Sequence, residues 1–234
     1  MPSEDLQKPL IVASAYPDPP FDVVGNETLT GFDVELMQAV CAQIGRTMTP
    51  VQYKSVDFNG IFDGLQDGRY DVVISGTTIT PERSKLVAFS EPYLQYGQGV
   101  AVSAQRASHV QSTADLAGLI VGIQQGNTSG IVARRLLDER AIASISYYPY
   151  NEIERALDDL EAGQIGVVIK LVPVLRQLIA PRPKLRLAFE VPTNERLGIA
   201  VAKDAPALRE AIDAALQALA ENGTIARLRA SWNC

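Results

Sequence analysis

Arg83 is the side chain in this sequence best suited to bind an anion, and small polar residues precede it at short spacing. A guanidinium presents a planar fork of donors that matches a carboxylate with two parallel hydrogen bonds. Thr78 adds a hydroxyl, and the backbone around Gly76 supplies N–H and C=O groups. These residue types predict a site for a small carboxylic acid. The alternative is an ordinary surface turn that carries a solvated arginine.

The elements around Arg83 support the first interpretation. The pattern of residues 58–66 predicts an amphipathic helix, with Asp57 as its N-cap and a stop at Gly68. An apolar strand follows at 71–75, and Gly76 and Thr78 come directly after it. Open α/β sheets bind ligands at the carboxyl ends of their strands. The loop that leads to Arg83 is therefore placed where a ligand would bind.

Strand and helix signals alternate along the whole chain in two sets, which predicts two parallel-sheet lobes. The first set predicts strands at 10–14, 51–53, 71–75 and 98–102 and helices at 32–44 and 58–66. The second set predicts strands at 119–123, 144–147, 165–169 and 186–189 and helices at 128–138, 152–161 and 172–179. A capping box is predicted at Asn151, with Glu154 three residues later. An extended segment at 197–202 and a long helix after Asp204 complete the pattern.

Composition excludes several classes of protein. A net charge of −6 and a pI near 4.9 argue against nucleic-acid binding, which requires a basic face. No apolar run has the length of a membrane span. Two cysteines and one histidine leave no usual Cys/His metal site, and we expect no cofactor. The residues at the amino terminus lack the apolar core of a secretory signal, so an exported protein would be in its mature form.

Several segments occur in an order and spacing that resemble the polar-amino-acid-binding family of bacterial periplasmic solute-binding proteins, which serve ABC importers. They are 31–36, 64–71, 80–93, 115–118, 121–128, 197–201, 221–224 and Trp232. The resemblance implies an α/β periplasmic binding protein fold of type II, in which each lobe is an open, mostly parallel sheet flanked by helices. Lobe 1 would comprise residues 1–98 plus 195–234 and lobe 2 residues 99–194, with hinge strands near 98–102 and 191–199.

The resemblance also implies which residues bind the ligand. The family's arginine that binds the α-carboxylate matches Arg83, and its strand-end loop matches Gly76 and Thr78. From the second lobe, backbone N–H groups at a helix start would come from Asn127 and Thr128. A helix amino terminus favours an anion. The alternative for this pair is a plain helix cap, and a cap and a ligand contact can coexist.

Two further positions of the family pattern concern the side chain of the ligand. Gln124 matches a second-lobe position that often contacts it. The aromatic residue that stacks on it in relatives is replaced here by Asp18, so Tyr16 or Phe58 could take over the stacking. Otherwise both are ordinary rim or core aromatics.

One departure bears on the ligand's charge. Relatives carry an aspartate that pairs with the ligand ammonium, and Leu171 stands in its place, preceded by Lys170. A leucine cannot neutralise an ammonium, and a buried unpaired charge is costly. Either another acid, Asp18 or Glu195, binds the amine, or the ligand has no α-ammonium. Lys170 either favours a second anionic group on the ligand or points to solvent.

The sequence therefore predicts a monomeric, periplasmic or extracytoplasmic solute-binding protein. It would bind an amino acid or a similar small carboxylate in an interlobe cleft by hinge closure and deliver it to an ABC permease. One alternative is the ligand-binding domain of a glutamate-receptor-like channel or sensor. A second is an enzyme resembling cyclohexadienyl dehydratase, although the sequence places no acid by its motif for such chemistry.

Overall fold

The computed structural model describes residues 8–25 and 28–234. The stretch 1–7, on which the argument about a secretory signal depends, lies outside the described residues. The chain groups into two compact units. Unit 1 comprises Met1–Tyr53, Gly60–Gln95 and Glu195–Cys234, and unit 2 comprises Lys54–Asn59 and Tyr96–Asn194. Within the described residues, no helix combines the length and apolar character that a membrane span needs.

The described strands and α-helices alternate along most of the chain. The strands are β1 (Leu10–Ser14), β2 (Val23–Gly25), β3 (Thr28–Thr30), β4 (Met48–Gln52), β5 (Val72–Val73), β6 (Ala88–Phe89), β7 (Leu94–Ser103), β8 (Ile120–Gln124), β9 (Ser144–Tyr148), β10 (Val167–Leu171), β11 (Leu185–Leu197) and β12 (Ala200–Val201). The helices are α1 (Phe32–Gln43), α2 (Asp63–Gln66), α3 (Pro81–Ser84), α4 (Ser129–Asp138), α5 (Ile153–Ala162), α6 (Val172–Ile179), α7 (Pro206–Glu221) and α8 (Thr224–Trp232).

Unit 1 is built on the sheet β4-β1-β5-β12-β6. Strand β1 pairs in parallel with β4 and β5, whereas β12 pairs antiparallel with β5 and β6. Buried apolar side chains cover both faces of the central strands, as is typical of a sheet between helix layers. The loop after β5 leads to α3, so the sequence region around Arg83 follows a central strand.

Unit 2 is built on the sheet β11-β7-β10-β8-β9. Strands β10, β8 and β9 are parallel, and β7 runs antiparallel to β10. A cluster of buried apolar residues from β7, β8, β10 and α4 forms its core. The carboxyl ends of β8 and β10 therefore lie at one edge of this sheet, and the chain leaves each of them toward a helix.

The predicted fold class is confirmed, and the strongest local patterns give the bounds of their elements closely. β1 and α6 have the predicted bounds. The predicted helix 58–66 is instead a 3-10 helix at Phe58–Phe62 followed by α2. The predicted capping box at Asn151 is wrong, because α5 begins after Glu152 with no side-chain cap. A short 3-10 helix at Tyr150–Glu152 contains Asn151, so Asn151 lies inside a turn and is not the first residue before α5.

Both cysteines are free thiols. Cys41 is buried on α1, and burial raises the pKa of its thiol to about 11. Burial likewise raises the pKa of Cys234 to about 12. The sequence did not decide whether a disulfide joins Cys41 and Cys234, and the structure has no disulfide between these two residues.

Candidate functional site

Arg83 is buried, with 6% of its surface exposed. Thr80 caps the short helix α3 through its side chain, which accepts a hydrogen bond from the Arg83 N–H, and Pro81 starts the helix. The guanidinium donates from Nη1 to the carbonyl oxygen of Thr78 at 3.0 Å and lies 5.5 Å from the ring centre of Phe62. The interpretation of a solvated surface arginine is therefore wrong, because this side chain is held inside unit 1.

Thr78 connects the arginine to a carboxylate. Its hydroxyl donates to Glu195 Oε2 at 2.7 Å, and both residues are buried. Thr78 also forms an isolated bridge with Leu197, which fixes the strand-end loop against the segment that carries Glu195. A guanidinium and a carboxylate thus lie on the two sides of one threonine. Such a pair offers donors to a ligand carboxylate and an acceptor to a ligand ammonium.

Gly76 lies in the same loop with a positive φ of 53°, a conformation that favours glycine. A Cβ here would come within 2.8 Å of the Phe21 ring. The Gly76 N–H donates to Asp33 Oδ2 at 2.6 Å. A ligand that used this N–H would therefore have to compete with a buried carboxylate.

Unit 1 also contains a group of buried aspartates near this loop: Asp18, Asp22 and Asp33. Asp22 Oδ2 accepts from the Ser75 hydroxyl at 2.8 Å. Burial, followed by the charge of Asp33, raises the pKa of Asp22 well above its usual range. Burial also raises the pKa of Asp33 to about 7, against the lowering effect of the Gly76 N–H. Two carboxyls of this group therefore favour the protonated form far more than surface aspartates do.

The sequence analysis named Asp18 as a candidate but did not identify Asp22 and Asp33, whose charges interact with each other and with that of Asp18. Asp33 lies in the first turn of α1, in the segment 31–36 that contributed to the family resemblance. A carboxylate in the middle of the apolar run Phe32-Asp33-Val34 is the signal that could have identified it. Asp22 carries the same signal, because it lies between Phe21 and Val23.

In unit 2, Lys170, Gln124 and Asn127 are brought together. Lys170 is only 3% exposed, and its Nζ donates to Gln124 Oε1 at 2.6 Å. Asn127 Nδ2 donates to the same oxygen at 3.0 Å. The Gln124 amide nitrogen donates to the Tyr150 carbonyl oxygen, which fixes the orientation of the amide. The interpretation of Lys170 as a lysine that points to solvent is therefore wrong.

Thr128 is the N-cap of α4, but its side chain makes no capping hydrogen bond. Its hydroxyl oxygen instead accepts from Gln98 Nε2 at 3.2 Å. The preceding Gly126 has a φ of 80°, and a Cβ there would come within 2.6 Å of the Phe58 backbone nitrogen. The plain-cap interpretation of the side chain is thus wrong for Thr128, and the tight turn positions the start of α4.

The aromatic candidates have different surroundings. Phe58 is buried in unit 2, and its ring centre is 5.2 Å from that of Tyr150. Leu171 is also buried in unit 2, directly before α6. Tyr16 is half-buried in unit 1, where its carbonyl oxygen accepts from Gln52 Nε2 at 2.7 Å. Burial, together with the charge of Asp22, raises the pKa of the Tyr16 hydroxyl.

The sequence-predicted residues therefore form two separate groups. Arg83, Thr78 and Gly76 lie in unit 1 with Glu195, and Gln124, Asn127 and Lys170 lie in unit 2 with Tyr150. Gly76 and Thr78 follow β5, whereas Gln124 and Lys170 lie at the carboxyl ends of β8 and β10. A model of the bacterial extracellular solute-binding proteins, family 3, matches residues 10–233. The chain belongs to this family.

Similar proteins share the family and the fold. The ABC transporter arginine-binding protein 1 of Escherichia coli is 33% identical over 228 residues, covering 94% of this chain and 88% of that protein. An ancestral arginine-binding protein with arginine bound has a TM-score of 0.85 at 31% identity, covering 95% of this chain and 97% of the other. An ancestral amino acid-binding protein, a precursor of cyclohexadienyl dehydratase, has a TM-score of 0.84 at 30% identity, covering 95% and 94%.

Proposed function

We propose that this family member binds an amino acid or a similar small carboxylate and delivers it to the permease of an ABC importer. The observation that carries the proposal is the buried Arg83, held by the carbonyl of Thr78 beside the Thr78–Glu195 hydrogen bond. A fixed guanidinium loses little side-chain freedom when it binds a carboxylate. The arginine-binding relatives support an amino acid as the ligand class.

Each site residue has a proposed role. Arg83 binds the ligand carboxylate with its planar fork, and Thr78, whose O–H donates to Glu195, offers its hydroxyl oxygen as an acceptor to the ligand ammonium. Glu195 supplies the counter-charge for the ligand ammonium, in place of the aspartate that Leu171 replaces. Asn127 and Thr128 contribute N–H groups at the start of α4, where the helix dipole favours an anion.

We further propose that the protein works outside the cytoplasm, as a monomer and without covalent chemistry. Binding is the whole task of such a protein, because the permease must distinguish its liganded form from its empty form. One relative is a precursor of a dehydratase, so a turnover assay on prephenate and arogenate belongs with the binding experiments. Product formation at a catalytic rate would contradict this part of the proposal.

The decisive experiment is a thermal-shift screen followed by calorimetry. The compounds are the standard L-amino acids, their deaminated and decarboxylated analogues, and small dicarboxylates. A ligand at 100 times its Kd stabilises the native state by about 2.7 kcal/mol, which gives a clear rise in Tm. We expect carboxylate-containing compounds to bind and decarboxylated analogues not to bind. The absence of binding by every carboxylate in the screen would overturn the proposed function.

We also propose which parts of the protein move when the ligand binds. The lobes would be residues 1–98 plus 195–234 and residues 99–194, with hinges near 98–102 and 191–199. Small-angle scattering with and without a saturating ligand tests it. We expect a smaller radius of gyration in the liganded state. Equal values in the two states would argue against closure while leaving the ligand proposal intact.

A further inference from the structure

Asp33 joins the start of α1 to the loop that follows β5. It lies in the first turn of this 12-residue helix and is fully buried. Its backbone N–H donates to the Phe21 carbonyl oxygen at 3.1 Å, and its Oδ2 accepts from the Gly76 N–H at 2.6 Å. All of these residues belong to unit 1. One side chain therefore connects the first helix to the strand-end loop of the candidate site.

The residue before Gly76 is also held by a buried carboxyl group. Ser75 Oγ donates to Asp22 Oδ2 at 2.8 Å and accepts from the Ala15 N–H at 3.0 Å. Gly76 has a φ of 53°, and the ring of Phe21 leaves no room for a Cβ there. Hydrogen bonds to two aspartates thus set the backbone conformation where the loop leaves β5.

The same loop continues to the proposed ligand-binding side chains. Two residues after Gly76, the hydroxyl of Thr78 donates to Glu195, and its carbonyl oxygen accepts from Arg83. A change in the backbone at Gly76 therefore acts, over two residues, on the hydrogen bonds that hold the guanidinium and the carboxylate of the site.

Titratable groups from three other segments face Asp33. Asp18 and Asp22 come from the segment before β2, Tyr93 precedes β7, and Cys234 follows α8. Burial raises the pKa of the Tyr93 hydroxyl well above its usual range and that of the Cys234 thiol to about 12, so neither loses a proton near neutral pH. Burial raises the pKa of Asp33 to about 7, so its carboxyl group changes charge in this range.

The two forms of Asp33 differ in how strongly they hold Gly76. An ionised carboxylate accepts a charge-assisted hydrogen bond, which is about twice as strong as a neutral one. The Gly76 N–H accordingly opposes the rise in the pKa of Asp33. A ligand ammonium bound at Glu195 would place a positive charge in the same unit, which also favours the ionised form.

We infer that Asp33 is a positioning residue of the proposed ligand site, and that its ionised carboxylate fixes Gly76 and thereby the loop that carries Thr78. Ligand binding is then linked to the loss of a proton from Asp33. The ligand binds more tightly to the ionised form, so its affinity falls as the pH falls through about 7. The inference rests on the proposed function, in which Thr78 and Arg83 contact the ligand.

The test is calorimetry of the wild-type protein at about pH 6 and about pH 8. The probe is L-arginine, or whichever standard L-amino acid gives the largest rise in Tm. We expect the Kd to be about three- to fivefold higher at the lower pH, which corresponds to a coupling of about 5- to 10-fold between proton and ligand. Titrations in two buffers of different ionisation enthalpy should show proton release at the lower pH and almost none at the higher pH.

Asp33→Asn keeps an oxygen that can accept from Gly76 and no longer titrates. We expect its Kd to vary by less than about 1.5-fold between the two pH values. Asp22→Asn is the matched control, because it removes the neighbouring acid and leaves the Asp33–Gly76 hydrogen bond, so a pH dependence should remain. His109→Gln removes the single, exposed histidine of the chain and should behave as the wild type does.

A second measurement needs no variant and no ligand. The amide proton of Gly76 donates to the group that titrates, so its NMR resonance should move with the ionisation of Asp33, with a midpoint near pH 7. Saturation with the ligand should shift this midpoint to lower pH. This measurement decides the role of the hydrogen bond if Asp33→Asn is poorly folded.

The outcomes separate the two proposals. Equal wild-type Kd values at the two pH values, or an equally strong pH dependence in Asp33→Asn, overturns the inference and leaves the proposed function standing. A Gly76 resonance that does not titrate, or whose midpoint the ligand does not move, overturns it as well. The absence of binding by every carboxylate contradicts the proposed function, and the inference falls with it. A pH dependence that Asp33→Asn abolishes and Asp22→Asn retains supports both.

Discussion

Unit 1 and unit 2 each place polar side chains after the central strands of a sheet, but their buried charges differ in sign. Among its described residues, unit 1 buries the cation Arg83 together with acids that include Glu195, Asp22 and Asp33. Among the described residues of unit 2, the buried charged side chain is Lys170, and its contacts there include amides and an aromatic ring.

This difference follows from where each unit places its acids. A guanidinium beside a carboxylate suits the zwitterionic end of an amino acid, which presents a carboxylate and an ammonium together. The acids of unit 2 are instead at its surface, where Arg182 binds Glu154, Asp158 and Glu161. The same family fold can thus place acids inside one unit and outside the other.

The largest expected effect tests the cation of unit 1. Arg83→Lys keeps the charge and loses the planar fork, so we expect the Kd of the best ligand to rise about 10- to 100-fold, which corresponds to about 1.5–3 kcal/mol. Lysine is used because Arg83 is buried against Phe62, so Arg83→Ala would also remove packing.

The control for Arg83 is Arg69→Lys. Arg69 lies in the same unit with 56% of its side chain exposed, and its nearby acid is the exposed Asp67. Ligand affinity should not change in this variant. An unchanged affinity in Arg83→Lys as well would remove Arg83 from the site.

The next largest expected effect is a change of stability with pH, which tests the buried acids of unit 1. Asp33 has a pKa raised to about 7 in the native chain, against an ordinary value of 3.8. The native state therefore binds more protons than the unfolded state between these values, so its stability falls as the pH rises through about 7. We expect a lower Tm at about pH 8 than at about pH 5, measured by calorimetry at constant ionic strength.

Asp33→Asn isolates this effect. The asparagine oxygen can still accept from the Gly76 N–H, and the side chain no longer titrates. We expect the decline in Tm between the acidic and the alkaline buffer to become smaller. An equally steep decline in this variant would assign the pH dependence to other groups, with Asp22 as the first to examine.

A smaller effect tests Glu195 as the counter-charge for the ligand ammonium. Glu195→Gln keeps an oxygen that can accept from Thr78 and removes the negative charge. We expect the Kd of an L-amino acid to rise about tenfold, and that of its deaminated analogue to change by less than about twofold. Glu210→Gln, an exposed substitution on α7, is the control. Equal losses for both ligands would mean that Glu195 acts on Arg83 or Thr78 and not on the ammonium.

The smallest effect tests the surface acids of unit 2. Arg182 lies 2.6 Å from Glu154, 2.8 Å from Asp158 and 3.1 Å from Glu161, with 18% of its side chain exposed. We expect Arg182→Gln to lower the free energy of unfolding by about 1 kcal/mol, and by less at high salt. Arg155→Gln, which breaks one exposed pair with Glu152, should lower the free energy of unfolding by clearly less. A similar decrease in the free energy of unfolding in both variants would show that the three acids around Arg182 add no stability beyond that of a single exposed pair.

The alternation of elements and the main cation of the candidate site could be predicted from the sequence alone. The apolar patterns that define β1 and α6 act over a few residues, and the short spacing from Gly76 to Arg83 is local as well. Patterns of this kind depend on side-chain periodicity along one segment, so they can be read without the fold. They also carried the resemblance that the family model confirms.

Which charges are buried, and what they contact, depends on the tertiary structure. Thr78 and Glu195 are 117 positions apart, and Gln124 and Lys170 are 46 apart. The burial of Lys170 and the raised pKa values of Asp22 and Asp33 depend on side chains delivered by distant segments. Desolvation and charge–charge interactions act through space and not along the chain. The composition of a loop therefore predicts a candidate site, and the packing of distant segments decides which charges are buried around it.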